Sequence, residues 1–295
     1  KVNAILLTDI YLNDEHSKNH WEPIGEYDNQ YAGTFDGNGK TIYGLDAALF
    51  GYGAEGSLIR NVTVTGSISG FSNVGGICTA SYGSFEGCIN RADISASGQR
   101  VGGIVGLVYD TGAVTNCANY GKITSSYSGN GYQSHYKVYL GGVVGYSYSN
   151  ISNCANFGTV SATKDNYGAI GGIVGEVEKA AVRNCYNMGE FSGPRRTAGL
   201  GIANTQNALV HTGYNAGKIQ CTGDSVNPFC GAVVGSINDE NGNGVGQVLN
   251  TYYLENSYYY RHNSSTIYTC GIGYGTGEAT SKTEAELKSQ EMVRT

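Results

Sequence analysis

Apolar residues recur along this chain in short alternating bursts, without the three-to-four spacing of an amphipathic helix. The strings Val74-Gly-Gly-Ile-Cys, Val101-Gly-Gly-Ile-Val-Gly, Leu140-Gly-Gly-Val-Val-Gly, Ile170-Gly-Gly-Ile-Val-Gly and Cys230-Gly-Ala-Val-Val-Gly repeat one pattern, with Leu200-Gly-Ile-Ala as a degenerate copy. Counting that copy, they lie 27, 39, 30, 30 and 30 residues apart. A second string follows each, as in Gly87-Cys-Ile-Asn-Arg-Ala, Asn116-Cys-Ala-Asn-Tyr-Gly, Asn153-Cys-Ala-Asn-Phe-Gly, Asn184-Cys-Tyr-Asn-Met-Gly and Thr212-Gly-Tyr-Asn-Ala-Gly. A third, such as Lys122-Ile-Thr-Ser or Glu190-Phe-Ser-Gly, alternates polar and apolar like a half-buried strand. Leu58-Ile-Arg-Asn-Val-Thr-Val-Thr-Gly fits the same frame one unit earlier. Each unit thus holds about three short strands separated by glycine or asparagine turns.

Units near 30 residues are too short for the four antiparallel strands of a propeller blade. They suit winding, with equivalent strands stacked in parallel, so the expected fold is all-β: a parallel β-helix with short capping segments. Seven to nine rungs at about 4.8 Å would make a rod roughly 35 to 45 Å long.

Stacking turns aligned positions into columns. Asn90, Asn119, Asn156, Asn187 and Asn215 form one, two residues before Gly121, Gly158, Gly189 and Gly217, and read as an amide ladder at a corner. Those glycines are expected to supply positive φ there, and Ala92 at the equivalent slot predicts a differently built turn. Cys88, Cys117, Cys154 and Cys185 form a second column. Seven of the eight cysteines occupy slots otherwise filled by apolar or small residues, and no Cys-x-x-Cys pair occurs. They read as buried free thiols. Tyr82, Tyr109 and Tyr148, six residues after the second glycine of their units, form a third column, continued by Glu178 and Asn207. Rings in register can shield the strand below or offer a surface to a sugar or a partner protein.

Composition fits this frame. Glycine accounts for 46 of 295 residues, far above the usual share of about 7%, while proline occurs three times. Tyrosine occurs 24 times and charged residues make up only 14%. A net charge of −6 without a basic cluster beyond Arg195 and Arg196 argues against a nucleic-acid partner. No apolar stretch is long enough to span a bilayer. The start at Lys1, without Met or a leader, reads as an excised fragment.

Chemical motifs are sparse. His16 and His20 share zinc-helix spacing, but Ser17 stands where glutamate is needed. Gly51 to Gly56 matches a dinucleotide fingerprint literally, yet no helix pattern follows, so it reads as a repeat turn. Asp239, Asn241 and Asn243 resemble the start of a calcium loop, but Asn250 replaces the closing glutamate, which leaves a weak calcium candidate. No cofactor is implied. Asp93, Asp110, Asp165, Glu176 and Glu178 share no column, and only the last two are close on one strand face. The long second interval carries Tyr127, Tyr132, His135 and Tyr136 on an inserted loop, a second place to expect binding.

Trp21-Glu-Pro-Ile-Gly, Gly33-Thr-Phe-Asp-Gly-Asn-Gly, the repeated Gly-Gly-Ile-Val-Gly and Asn-Cys-x-Asn-x-Gly strings, and Thr283-Glu-Ala-Glu-Leu together resemble the GLUG-motif repeat proteins. The resemblance covers nearly the whole chain. It implies a right-handed β-helix in a modular bacterial surface or secreted protein, of the kind found in adhesin-like proteins and in the non-catalytic region of IgA-specific metallopeptidases. The peptidase zinc motif is absent, so that activity does not carry over. The expected division is an N-terminal cap and first rung over 1–44, repeats over 45–262, and a C-terminal cap over 263–295 with a helix near 284–292 begun by the Thr283–Glu286 capping box. The expected function is an extracellular, non-enzymatic module. It would bind host or microbial glycans or proteins, join neighbouring domains, or act as a spacer. The alternative is a β-helix polysaccharide lyase or glycoside hydrolase.

Overall fold

A computed structural model of the chain describes residues 2–12, 20–126, 138–162, 168–193, 196–204, 208–221, 230–237, 246–255, 259–260, 267–268, 271–274 and 277–287. The chain is a parallel β-helix. Among the described residues, the main sheets hold 22, six and six strands, and their pairing is parallel, apart from an antiparallel pair, Tyr259–Tyr260 with Ile267–Tyr268. Ala4, Phe35, Ile59, Phe85, Val114, Ile151, Val182, Val210 and Val248 lie in one continuous register, giving nine levels over about 40 Å. From Phe35 to Val248 these side chains point inward and are almost wholly buried. Each contributes about 1.5–3 kcal/mol of apolar burial, which low-propensity two- and three-residue strands need to hold their place.

The six-stranded sheets come from the glycine-rich string. Asn73–Gly75, Arg100–Gly102, Tyr139–Gly141, Ala169–Gly171, Arg196–Ala198 and Cys230–Gly231 form the first. Phe50–Gly53, Cys78–Ser81, Val105–Val108, Val144–Ser147, Val174–Glu178 and Ile202–Asn204 form the second. In the degenerate rung the register differs from the sequence alignment. Ile170 pairs with Thr197, which pairs with Cys230, so this copy begins three residues before Leu200, at intervals of 27 and 33. Glu178 accordingly pairs with Asn204, and Asn207, its expected neighbour, lies outside the described residues. A one-residue deletion after Ala198 is absorbed at Gly201, whose φ of +131° an L side chain would resist.

The asparagine column is a closed hydrogen-bond ladder. Asn90 Nδ2 donates to Asn119 Oδ1 at 2.7 Å, and the relay continues through Asn156 and Asn187 to Asn215 at 2.7–2.8 Å. Each Nδ2 also donates to the carbonyl two residues on, at Ala92, Gly121, Gly158, Gly189 and Gly217. All five amides are fully buried, and both amide hydrogens of Asn90 through Asn187 are used.

This ladder explains the paired glycines on the opposite wall. A Cβ on Gly76, Gly103, Gly142, Gly172 or Gly199 would lie 2.3–2.6 Å from the side chain of Asn90, Asn119, Asn156, Asn187 or Asn215 respectively. The two signature strings are the two halves of one contact across the core.

The corner glycines need correction. Gly121, Gly158, Gly189 and Gly217 do not have positive φ. A Cβ there would lie 1.9–2.0 Å from the carbonyl oxygen at the same position one level below, so they are glycine for stacking clearance. Ala92 occupies that slot with ordinary φ. The left-handed column instead runs through Asn61, Gly87, Asn116, Asn153, Asn184, Thr212 and Asn250, one residue before the cysteine column. Asparagine tolerates this conformation better than other non-glycine residues.

Cys88, Cys117, Cys154 and Cys185 are buried free thiols in that next column, and Cys78 is a fifth. Their sulfurs donate to backbone carbonyls, Cys154 to Ser152 at 3.2 Å among them. Burial pushes the Cys78 thiol up to about 12 and raises Cys117 and Cys185 as well. Cys230 departs from the free-thiol expectation, because it is disulfide-bonded.

Both end segments contain rungs of their own. Ala4–Ile5 and Ile10–Tyr11 stack beneath Thr34–Asp36 and Thr41–Leu45. At the other end Ala279–Lys282 pairs with Thr251–Leu254. Asp36 to Gly39 form a turn in which Asn38 and Gly39 are left-handed and Asn38 N donates to Asp36 Oδ1. The capping box forms too: Glu286 N donates to Thr283 Oγ1 at 3.2 Å and Thr283 N to Glu286 Oε2 at 2.8 Å, opening the helix Glu284–Leu287.

Candidate functional site

The two six-stranded sheets meet at an outward-facing trough, and the last glycine of the repeated string forms its floor. A Cβ on Gly106 would lie 2.7 Å from Val74 N, one on Gly145 2.6 Å from Val101 N, and one on Gly175 2.8 Å from Leu140 N. Only glycine lets the strands approach so closely. One wall carries Asn73, Arg100, Tyr139 and Ala169, in register. The other carries Tyr52, Ala80, Leu107, Tyr146 and Glu176.

These side chains form apolar clusters separate from the central core. Ala80, Leu107 and Tyr146 are buried, with Tyr52, Tyr109, Tyr139 and Tyr148 half-buried around them. Tyr146 is the hub. Its ring meets Tyr139 edge-on at 4.8 Å and tilts against Tyr148 at 5.0 Å, and its hydroxyl donates to Glu178 Oε2 at 2.8 Å. Burial first, and then the neighbouring Glu176, holds its phenol well above the ordinary range. Glu178 also pairs with Lys179 at 3.3 Å.

Tyr82, Tyr109 and Tyr148 stand at equivalent positions on the rim of this trough, all half-buried, yet they do not form one continuous stack. Tyr82 and Tyr109 stack nearly parallel with centroids 4.1 Å apart, while Tyr148 turns toward Tyr146. Stacked rings hide the faces between them and present edges and hydroxyls to solvent. Burial raises the Tyr109 phenol, with Tyr82 and Tyr52 adding to it and Arg100 opposing. Arg100 bridges the walls: one guanidinium nitrogen donates to Asn73 Oδ1 at 3.3 Å, and its carbon lies 5.6 Å from the centre of the Tyr146 ring.

Tyr127, Tyr132, His135 and Tyr136, and the calcium candidate Asp239, Asn241 and Asn243, lie outside the described residues. Among the described residues no group of three or more His, Cys, Asp or Glu side chains is placed to hold a metal. Of the acids considered above, Glu176 and Glu178 both adjoin Tyr146: Glu176 is its register partner and Glu178 accepts from its hydroxyl.

A second aromatic stripe was not singled out from the sequence. The residues that follow the ladder asparagines, Arg91, Tyr120, Phe157 and Met188, align on the outer surface, and the last three are 42%, 38% and 46% exposed. Tyr120 and Phe157 stack at 4.6 Å, Arg91 covers the other face of Tyr120 at 4.3 Å, and Tyr186 meets Phe157 edge-on. Its signal in the sequence is the Asn-Tyr-Gly and Asn-Phe-Gly strings, where the ring sits between the ladder asparagine and the corner glycine. The ring faces here are already largely taken. Elsewhere, a shallow depression of about 320 Å³ lies over Thr159, Ser161, Glu190, Ser192, Lys218 and Gln220. Its lysine is paired with Glu190 at 3.6 Å. The trough, with mixed aromatic and charged chemistry, is the richer site.

Fold and site together define a solenoid whose repeat is an asparagine-laddered rung with an aromatic trough on one outer corner. Two of its rungs, residues 97–124 and 138–161, match the family model of the GLUG motif. The chain is similar in structure to a Bacteroides ovatus protein named for immunoglobulin A1 protease, with 20% identity and a TM-score of 0.57 over 97% of this chain and 79% of that one. It is also similar to a chain named IgA1 protease, with 16% identity and a TM-score of 0.62 over 99% of this chain. This chain spans 22% of that longer chain's length. At these identities the likeness is one of fold. No curated protein matches this chain.

Proposed function

We propose that this chain is a non-catalytic module of a secreted or surface protein and that it binds carbohydrate or protein ligands along the rim of the tyrosine trough. One observation carries the reading: outside the core, the fold gathers Tyr52, Tyr82, Tyr109, Tyr139, Tyr146 and Tyr148 on one corner, with Arg100 and Glu178 among them. A solenoid needs no such cluster for its own closure, since the core already runs unbroken along the opposite face of the same strands. The disulfide at Cys230 supports an oxidising setting outside the cytosol. Among the described residues no helix is long and apolar enough to cross a membrane.

The test is a glycan and host-protein array probed with the wild-type chain and with Tyr109→Ala. Binding by the wild type that falls at least about tenfold in the variant supports the reading, and a wild-type chain that binds nothing reduces the module to a spacer.

Glu176 and Glu178 keep a second reading alive, that of a polysaccharide-cleaving enzyme. Both carboxylates have partners: Glu178 holds Tyr146 and Lys179, and Glu176 is buried and engaged. Polysaccharide degradation by the wild type that disappears in Glu178→Gln would favour this reading over binding alone.

A further inference from the structure

The trough holds an unmatched cation. Among the described residues, Nε of Arg100 is the one buried side-chain nitrogen or oxygen without a hydrogen-bond partner. The guanidinium has five N–H donors, and among the described residues it makes a single hydrogen bond, to Asn73. Among the described residues no carboxylate ion-pairs with it: Glu178 is turned to Tyr146 and Lys179, two levels away. Leaving a buried charged donor unsatisfied is costly, and such a group marks a place where something else completes the bonding.

Its surroundings restrict what that is. The guanidinium carbon lies 5.6 Å from the centre of the Tyr146 ring, within reach of a cation–π contact. Tyr109 stands at the rim, packed in the same side-chain cluster as Tyr139 and Tyr146. Backbone N–H and C=O groups along both walls are taken up by the parallel ladders above and below, so an extended peptide finds no free strand edge to pair with. Recognition here has to come from rings, hydroxyls and the fork. That combination suits a pyranose bearing a carboxylate, which places the anion on a guanidinium edge and packs the ring against an aromatic side chain.

We infer that the trough selects acidic sugars, uronate or sialate residues, and that Arg100 is the residue that sets this preference. The inference rests on the trough being a glycan site, and it deepens that reading by naming the ligand class. Arg100 would take the carboxylate through the terminal guanidinium N–H groups that Asn73 leaves free, while Tyr109 contacts the ring.

The test titrates the wild-type chain with galacturonate oligomers and their methyl esters, and with sialyllactose and lactose, and repeats the series with Arg100→Met and Arg100→Lys. The methionine keeps an apolar stem against Tyr146 and removes the charge. The expected result is binding of one or both acidic sugars roughly tenfold or more tighter than of the neutral counterpart, a preference abolished in Arg100→Met and only partly kept in Arg100→Lys, with unchanged melting temperatures. Equal binding of acid and neutral forms, or an acid preference that survives Arg100→Met, overturns the inference while leaving a glycan site in place. Binding of an Asp/Glu-rich peptide with no binding of any sugar overturns both the inference and the glycan reading. No binding of any probe removes the site altogether.

Discussion

The asparagine ladder and the tyrosine trough are built from the same rungs, yet they behave as opposites. Along the ladder the residue is identical on five successive levels, the amides of Asn90 through Asn187 repeat the same two donations, and nothing is exposed. Along the trough the residue changes at every level, from Tyr52 through Ala80, Leu107 and Tyr146 to Glu176, and one cation is left unmatched. A column that repeats itself serves the stacking of one rung on the next. A column that varies while staying organised is free of that duty, and its chemistry is available for a ligand.

That contrast can be broken most severely at the ladder. Gly142→Ala would set a Cβ 2.0 Å from Gly172 O and 2.3 Å from Asn156 Cγ, neither of which can move away. The expected cost is on the order of 3 kcal/mol or more, seen as a large drop in melting temperature. Gly56→Ala is the sharpening control: no atom lies within 4 Å, but φ is +73°, so the cost should stay near about 1 kcal/mol. A similar loss in both would mean that the paired glycines are conformational and not steric.

Next in size is Asn156→Ala. It strips Asn119 of one acceptor and leaves Gly158 O and Asn187 Oδ1 each without a donor. Denaturant unfolding should show a loss of about 2–4 kcal/mol. Tyr109→Ala, in the trough, should cost less, about 1 kcal/mol beyond the area it uncovers, because it forfeits one stacked pair with Tyr82. If Tyr109→Ala proved as damaging as Asn156→Ala, the trough would belong to the scaffold.

The smallest effect is in the thiols. Burial raises the pKa values of Cys78, Cys117 and Cys185 in the fold, so the folded state holds these three protons more tightly than the unfolded chain. The stability this confers is complete below the ordinary thiol pKa of about 9 and is lost as pH rises from there toward 12. The melting temperature should therefore decline above pH 9. A maleimide probe at pH 7 should leave Cys78, Cys88, Cys117, Cys154 and Cys185 unlabelled until denaturant is added.

Much of the fold was legible because a solenoid writes its register into the period of its sequence. The column from Asn90 to Asn215, aligned by spacing alone, is also the register of the strand pairing. The degenerate rung was misplaced because Leu200-Gly201 imitates the glycine-rich string, whereas Thr197 and Gly199 carry its spatial roles. The corner glycines were given the wrong reason because a sequence shows that a residue is small without showing whether torsion or clearance demands it. The trough was half legible. Tyr82, Tyr109 and Tyr148 could be aligned by counting, but Arg100 and Tyr146 meet across two sheets, and only the close strand approach at Gly106 and Gly145 brings them together.

The central claim, that the varying column binds and the repeating one holds, is tested most directly by titrating the folded chain with an oligosaccharide chosen from the array, before and after Tyr109→Ala. The account predicts affinity reduced at least about tenfold in a protein whose rungs remain stacked by circular dichroism. An unchanged affinity would contradict it and send the search to the Tyr120–Phe157 stripe or the Thr159–Gln220 depression.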